Sequence, residues 1–188
     1  MKKMKKMKLL ISGFFVAIVL GTSVDTFAAS RFPGVLSRGI NGISYWLGPT
    51  ATFGNTDTAI RNWMYTPWGN PLYIYKQGNN YGTSIDFYST KLNPGIGGVT
   101  DFFDGRDRMI ATGMREAPRI NYYYAKINYN TMYSRASSMK NGTIARHEIG
   151  HALGIAHSNG IMIRSVSTNT NLAVDKANND ILARIYGW

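Results

Sequence analysis

All three histidines of this 188-residue chain lie within eleven residues, from His147 to His157. His147 and His151 are four residues apart, which places both imidazoles on one face of a helix, one turn apart. Gly154 follows, and a glycine commonly ends a helix because it takes positive φ without a steric cost. The chain can therefore turn back and bring His157 to the same ion. Three imidazoles with one open position form the layout of a catalytic zinc site.

Glu148 directly follows the first histidine and points about 100° away around the helix axis. From there it is badly placed to bind the same ion but well placed to take a proton from a water bound to it. Zinc lowers the pKa of such a water to about 7. Glu148 is therefore the candidate catalytic residue: a general base that later delivers the proton to a leaving nitrogen. These roles suit hydrolysis of a peptide bond.

The pattern His-Glu-x-x-His-x-x-Gly-x-x-His over residues 147–157 resembles the zinc signature of the metzincin metalloproteases. Ser158, directly after the third histidine, is similar to the matrixin branch, which includes the matrix metalloproteinases. The resemblance implies a Met-turn, a tight turn that places a methionine under the metal site. Gly160 fits as the turn former and Met162 as the methionine.

The two residues after Met162 depart from that resemblance. Matrix metalloproteinases typically have Tyr-Pro where this chain has Ile163 and Arg164. In the family, these positions shape the pocket for the side chain after the scissile bond. An arginine in that pocket would favour acidic side chains, and an ordinary surface arginine is the alternative.

The first residues of the chain are typical of a secretory signal peptide. Five lysines precede residue 9, a predominantly apolar run covers residues 9–20, and small residues follow at a cleavage site after Ala28. Cleavage one or two residues later is the alternative. The apolar run is short of the roughly 20 residues needed to span a bilayer, which disfavours an uncleaved anchor. We therefore expect a signal peptide over residues 1–28, a secreted catalytic domain over 29–188, and no membrane association after cleavage.

The chain has a formal net charge of +11, and loss of residues 1–28, which carry five lysines and one aspartate, leaves +7. A basic protein is attracted to anionic partners such as a cell wall or mucin-like polymers. The positive charges after the leader are scattered, which argues against a nucleic-acid partner. There are no cysteines, and one domain of this size can build a sufficient core without disulfides.

Periodicity and turn residues predict an α+β fold. The resemblance implies a metzincin-like twisted mixed sheet of about five strands, packed on an active-site helix and a C-terminal helix, with the substrate pairing as an extended strand at the sheet edge above the metal. Chain order places that edge at residues 108–112, and the glycine-rich residues 29–42 are expected to form a loose arm. The predicted strands are 43–47, 72–76, 84–88, 108–112 and 120–128, and the predicted helices are 55–66, 141–154 and 174–186.

A second metal has weaker support. Asp101, Asp104 and Asp107 surround Gly105 and could bind calcium, but their spacing is not that of an EF-hand, and a solvated turn explains them better. Matrixins also hold a structural zinc with histidines that this chain lacks. The sequence therefore predicts one catalytic zinc ion, with calcium possible but unsupported.

The leading hypothesis is a secreted zinc-dependent endopeptidase that hydrolyses peptide bonds through a zinc-bound water with a glutamate general base. One alternative is a zinc amidase acting on cell-wall peptides or glycopeptides. Another is a catalytically silent, zinc-bound binding protein. Glu148 argues against the silent protein, because a purely structural site needs no base.

Overall fold

The computed structural model describes residues 30–188 except 54, 116, 134–137 and 165–171, so the predicted signal peptide lies outside the described residues. In the part of the chain that it describes, six strands and three helices are formed. In chain order they are β1 (Asn41–Leu47), α1 (Thr56–Met64), β2 (Tyr73–Lys76), β3 (Ile85–Thr90), β4 (Gly98–Phe103), β5 (Met109–Thr112), β6 (Tyr124–Asn130), α2 (Ser138–Ala152) and α3 (Lys176–Tyr186).

The strands form one mixed sheet in the order β2-β1-β3-β6-β4-β5. The first four are mutually parallel, whereas β4 pairs antiparallel with both β6 and β5. This confirms the predicted α+β class with a mixed sheet, although six strands form rather than about five. The additional strand is β4, where the sequence predicts no strand and Asp101 is assigned to a solvated turn. Pairing with β6 along its whole length overrides that local preference.

One face of the sheet packs on α1 and α2 and forms the core. Alternation along β6 buries Ala125, Ile127 and Tyr129 completely on this face. From α1, Trp63 is fully buried, and its indole nitrogen donates to the Arg146 carbonyl of α2 at 2.9 Å. Burial of one large apolar side chain contributes about 1.5–3 kcal/mol. Helix α2 therefore packs against both the sheet and α1.

The prediction of a loose arm at residues 29–42 was wrong. Residues 30–36, here called the N-terminal arm, pack on the body of the protein, and 41–42 already belong to β1. Isolated bridges join Arg31 to Ile155 and Leu36 to Tyr122. Glycine content predicted mobility, but apolar side chains in the arm are buried and anchor it.

Helix α3 closes the described fold. Asp175 caps its N-terminus, accepting from the backbone N–H of Asn178 at 2.9 Å in a reciprocal capping box. The helix ends at Gly187 in the left-handed conformation, with φ of 76°. Gly160 lies so close to the Asp175 carboxylate that it has no room for a Cβ atom. The start of α3 therefore packs against the predicted Met-turn. Within the described residues, we find no helix with the length and apolar character needed to cross a bilayer.

Candidate metal centre

Helix α2 ends in a turn that reverses the chain after the second histidine. The Ile155 N–H donates to the Gly150 carbonyl at 3.0 Å, and the Gly154 N–H donates to the His151 carbonyl at 2.9 Å. This bond pair, with Gly154 at φ of 94°, is a Schellman motif. The reversal predicted at Gly154 is present, two residues after the last helical residue. It directs His157 back towards the helix.

The imidazoles of His147 and His151 are oriented by backbone carbonyls. His147 Nδ1 is 2.7 Å from the Ile161 oxygen, and His151 Nδ1 is 2.8 Å from the Ile155 oxygen. A carbonyl oxygen can only accept, so each Nδ1 carries the proton and each Nε2 presents a lone pair. The two Nε2 atoms are 3.0 Å apart. Two lone pairs at that distance repel each other unless a cation lies between them.

The third histidine completes the group. One ligand nitrogen from each of His147, His151 and His157 lies within 4.8 Å of the others, and within the described residues this is the single group of its kind. Zinc–nitrogen bonds are about 2.0–2.1 Å long, so nitrogens that share one zinc lie within roughly 4 Å of one another. The cluster is close to that spacing and fits a three-histidine zinc site. The structure therefore brings all three predicted ligands together.

Burial keeps these imidazoles neutral. It lowers the pKa of His147 to about 4 and that of His151 well below its usual value. Burial also lowers the pKa of the half-buried His157, and the nearby charge of Arg164 adds to that effect. Neutral imidazole is the form that binds a metal ion, so the chain is ready to bind zinc at neutral pH without releasing imidazole protons.

Glu148 lies beside the histidines and is held by strand β4. The Thr100 hydroxyl is 2.8 Å from Glu148 Oε2, to which it donates. Burial raises the pKa of Glu148 to about 7, partly offset by that hydrogen bond, while Asp101 raises it further. A carboxyl with such a pKa can both accept and return a proton near neutral pH. A Cβ atom on Gly98 would lie 2.8 Å from Glu148 Cγ, so the glycine makes room for this side chain.

Met162 lies in a short 3₁₀ turn, Gly160–Met162, and is fully buried. Its carbonyl accepts from the Ser158 N–H at 2.9 Å, which closes the turn. The methionine sulfur packs against Gly150 of α2, where a Cβ atom would collide with it. The predicted Met-turn residue thus lies against the helix that carries two of the predicted ligands, and Ile161 beside it supplies the carbonyl that orients His147.

The histidines and Glu148 open into a cavity of about 540 Å³. Strand β4 lines the cavity from Gly98 to Thr100. Gly113 and Met114, which directly follow β5, line it as well. Strand β5 is outermost, as chain order predicted, and the strand that lines the cavity beside the histidines is β4. The rest of the lining comes from Gly95, Ile96, Gly97, Tyr133, Lys140, Ile144 and Arg164.

Two of the three aspartates considered for calcium have other side-chain contacts. Asp104 accepts from Arg108 Nε at 2.8 Å and from the backbone N–H of Arg106 at 2.8 Å. Asp101 accepts from the Asn128 side chain at 3.1 Å on the neighbouring strand. The Asp104 bonds stabilise the turn between β4 and β5, and the Asp101 bond joins β4 to β6. No metal-binding group of aspartates is found among the described residues.

Sequence reasoning missed three residues next to the predicted site: Gly98, Thr100 and Phe32. Gly98 and Thr100 belong to β4, the strand that was not predicted. Phe32 comes from the arm and stacks on His151, with ring centroids 5.5 Å apart. A correct assignment of β4 would have indicated Gly98 and Thr100, whereas no local pattern marks Phe32.

The family model described as Matrixin matches residues 72–187, which is more than half of the chain. This chain belongs to the matrixin family. The matched range covers β2 through α3 and includes all three histidines and Glu148. At the level of the family, this matrixin is a metalloprotease. No curated protein is similar enough to the chain to refine that assignment.

Proposed function

We propose that this matrixin is a zinc-dependent endopeptidase in which His147, His151 and His157 hold the metal and Glu148 is the general base. One observation carries the proposal: the Nε2 atoms of His147 and His151 are 3.0 Å apart. Each imidazole carries its proton on Nδ1, so both Nε2 atoms have a free lone pair for a metal ion. They open into a cavity that the buried Glu148 carboxyl also lines. A zinc-bound binding protein would have no need of the carboxyl or of the open cavity.

When bound, zinc supplies Lewis acidity that lowers the pKa of a coordinated water and polarises a peptide carbonyl. The two oxygens of Glu148 have different surroundings. Oε2 accepts from Thr100, which fixes the carboxyl plane. Oε1 faces the space left by Gly98, where a Cβ atom would be 2.9 Å away. Oε1 is therefore the oxygen that takes the proton from the attacking water and returns it to the leaving amine.

The proposed substrate is an extended peptide that pairs with β4. Backbone groups of alternate strand residues point to the same neighbour. The Thr100 carbonyl points outward and accepts from the Gly113 N–H at 2.9 Å. By alternation, Gly98 points its backbone groups to the same side of β4, before the residues that pair with β5 and inside the cavity lining. Strand addition there would place a peptide across the face of the histidine cluster.

Charge favours acidic peptides. From residue 117 to 174 the sequence has six lysines and arginines, and Glu148 is the one acidic residue. Two of these cations, Lys140 and Arg164, line the cavity. We propose that they favour acidic side chains near the scissile bond. The net charge of +7 after the leader supports the same preference for anionic surface polymers.

We also propose secretion, which rests on the signal-peptide pattern of residues 1–28. The enzyme would then act outside the cell.

A direct test uses the chain without residues 1–28. Zinc per chain is measured, and hydrolysis is followed with casein and with cell-wall peptide fragments. The proposal predicts one zinc ion and cleavage of casein, and Glu148→Ala should keep the zinc and lose the activity. Cleavage of wall fragments alone would support the amidase alternative. Zinc binding without cleavage of either substrate would support the binding protein.

A further inference from the structure

We propose that the N-terminal arm, residues 30–36, positions the metal ligands, with Phe32 as the positioning residue for His151. The inference rests on the proposed metal centre. It concerns a segment outside the residues matched to the family, since those begin at residue 72.

The arm forms a short antiparallel ladder with the segment that joins two ligands. The Ala156 N–H donates to the Ser30 carbonyl at 2.8 Å, and the Phe32 N–H donates to the Gly154 carbonyl at 2.9 Å. Between these bonds, Arg31 pairs with Ile155. The paired segment is the connection from His151 to His157. Its backbone path is therefore fixed by a neighbouring strand as well as by its own turn.

That backbone path sets the orientation of one imidazole. The Ile155 carbonyl accepts from His151 Nδ1 at 2.8 Å. Because the bridge to Arg31 holds Ile155, the arm acts on the atom that fixes the tautomer and tilt of His151. Removing a group that holds a metal ligand in this way typically weakens metal binding by about 10-fold to 100-fold.

The side chain of Phe32 restrains the same imidazole from its face. Its ring is stacked on His151 at an interplanar angle of 26° and a centroid distance of 5.5 Å. Phe32 is itself held in place, because its ring packs edge-on against the ring of Phe102, with the two centroids also 5.5 Å apart. With Nδ1 bonded and one face covered, the imidazole cannot rotate away from His147 without displacing a buried aromatic ring.

The arm also reaches the third ligand. The Ser30 hydroxyl donates to the His157 carbonyl at 3.3 Å. A segment that begins 121 positions before His151 thus contacts the backbone of one predicted ligand, His157, and the side chain of another, His151. Its loss would loosen the ligands without changing their identity.

The test compares matched variants of the same chain. Phe32→Leu removes the ring but keeps an apolar side chain, and Phe32→Tyr keeps the ring. Phe87→Leu is the control, because Phe87 is fully buried and its ring contacts in the described part of the chain are with Tyr45 and Tyr129 rather than with a histidine. For each variant, zinc affinity is measured by competition with a chromophoric chelator. The visible absorption of the cobalt-substituted protein and the melting temperature of the metal-free protein are also recorded.

The proposal predicts about tenfold weaker zinc binding and an altered cobalt spectrum for Phe32→Leu. Phe32→Tyr should bind zinc like the wild type. Phe87→Leu should lower the melting temperature but leave the zinc affinity and the cobalt spectrum unchanged. Two results would overturn the inference: wild-type zinc affinity in Phe32→Leu, or an equal loss of zinc affinity in Phe87→Leu. Either would show that Phe32 contributes only to the packing of the core. A wild-type chain that binds no zinc would overturn the proposed metal centre itself.

Discussion

The two walls of the cleft are held by different kinds of contact. The histidine wall, residues 147–162, is bonded largely within itself: the Ile161 carbonyl fixes His147 and the Ile155 carbonyl fixes His151. The facing wall is β4 from Gly98 to Thr100, which contributes backbone groups, one hydroxyl and the space left by a glycine. The histidine wall sets the positions of the proposed metal ligands, and the facing wall sets the position of the proposed base and the room for the proposed substrate.

This division separates two kinds of defect. A change in the histidine wall should alter proton binding and metal affinity. A change in the facing wall should alter activity while the metal stays bound. Substitutions on each side can therefore test whether the two walls are as independent as their contacts indicate.

The largest expected effect is a loss of stability of the metal-free protein in acid, which the buried imidazoles of the histidine wall cause. Burial holds the pKa of His147 at about 4 and also lowers the pKa values of His151 and His157, whereas unfolded histidine titrates at about 6.5. The unfolded chain then binds more protons below pH 6.5, so the free energy of unfolding falls as the pH decreases towards 4. Each such histidine changes the unfolding equilibrium about tenfold per pH unit. The raised pKa of Glu148 acts in the opposite direction and offsets one of them.

Urea denaturation at pH 7, 6 and 5 with a chelator present measures how the free energy of unfolding changes with pH. In His151→Asn this pH dependence should be weaker, by the amount that corresponds to about one proton taken up on unfolding. Equal slopes for the variant and the wild type would show that the buried imidazole is not the group being titrated.

On the facing wall, Gly98→Ala should reduce kcat/KM about a hundredfold, because the added Cβ atom displaces the Glu148 carboxyl by a large fraction of an ångström. Zinc content should not change. Gly78→Ala is the matched control, since a Cβ atom at Gly78 meets nothing within 4 Å. Loss of zinc in Gly98→Ala would mean that the two walls are coupled.

Thr100→Val should lower kcat/KM about tenfold, because a hydrogen bond to a charged group is worth roughly 1.5 kcal/mol or more. The bond lowers the pKa of Glu148, so its removal should raise that pKa and shift the acid limb of the pH profile to higher pH. Thr56→Val, a buried threonine that donates to the Phe53 carbonyl, is the control. An unshifted acid limb in Thr100→Val would argue against Glu148 as the base.

The smallest effect is expected at the exposed Arg164. Arg164→Glu should reduce the preference for acidic over neutral peptides by about twofold to fivefold, the range of one exposed ion pair. A peptide library with acidic, neutral and basic residues on each side of the scissile bond measures this ratio at low and high salt. An unchanged preference for acidic over neutral peptides would show that Arg164 does not contribute to substrate specificity.

Local patterns predicted the histidine wall because its contacts are local. Spacing placed His147 and His151 on one helical face, and the glycine requirement at Gly154 placed the reversal. The helix boundary differed, since α2 begins at Ser138 rather than 141. Helix ends depend on capping contacts that periodicity does not show.

The facing wall and the N-terminal arm were not predictable in this way. Strand β4 begins with a glycine and gains its stability from β6, more than twenty residues further along. Phe32 is placed by contacts with Gly154 and Phe102, which no local pattern encodes. Long-range pairing decides both regions, so their sequences resemble loops when read alone.

The most direct test of the central claim, that three imidazoles share one ion beside a separate base, is a zinc titration of the metal-free chain. Wild type and Glu148→Gln should each bind one equivalent with similar affinity, and His147→Ala, His151→Ala and His157→Ala should each bind far more weakly. Casein hydrolysis should be lost in all four variants. Wild-type zinc affinity in His157→Ala, or full hydrolysis by Glu148→Gln, would contradict the account.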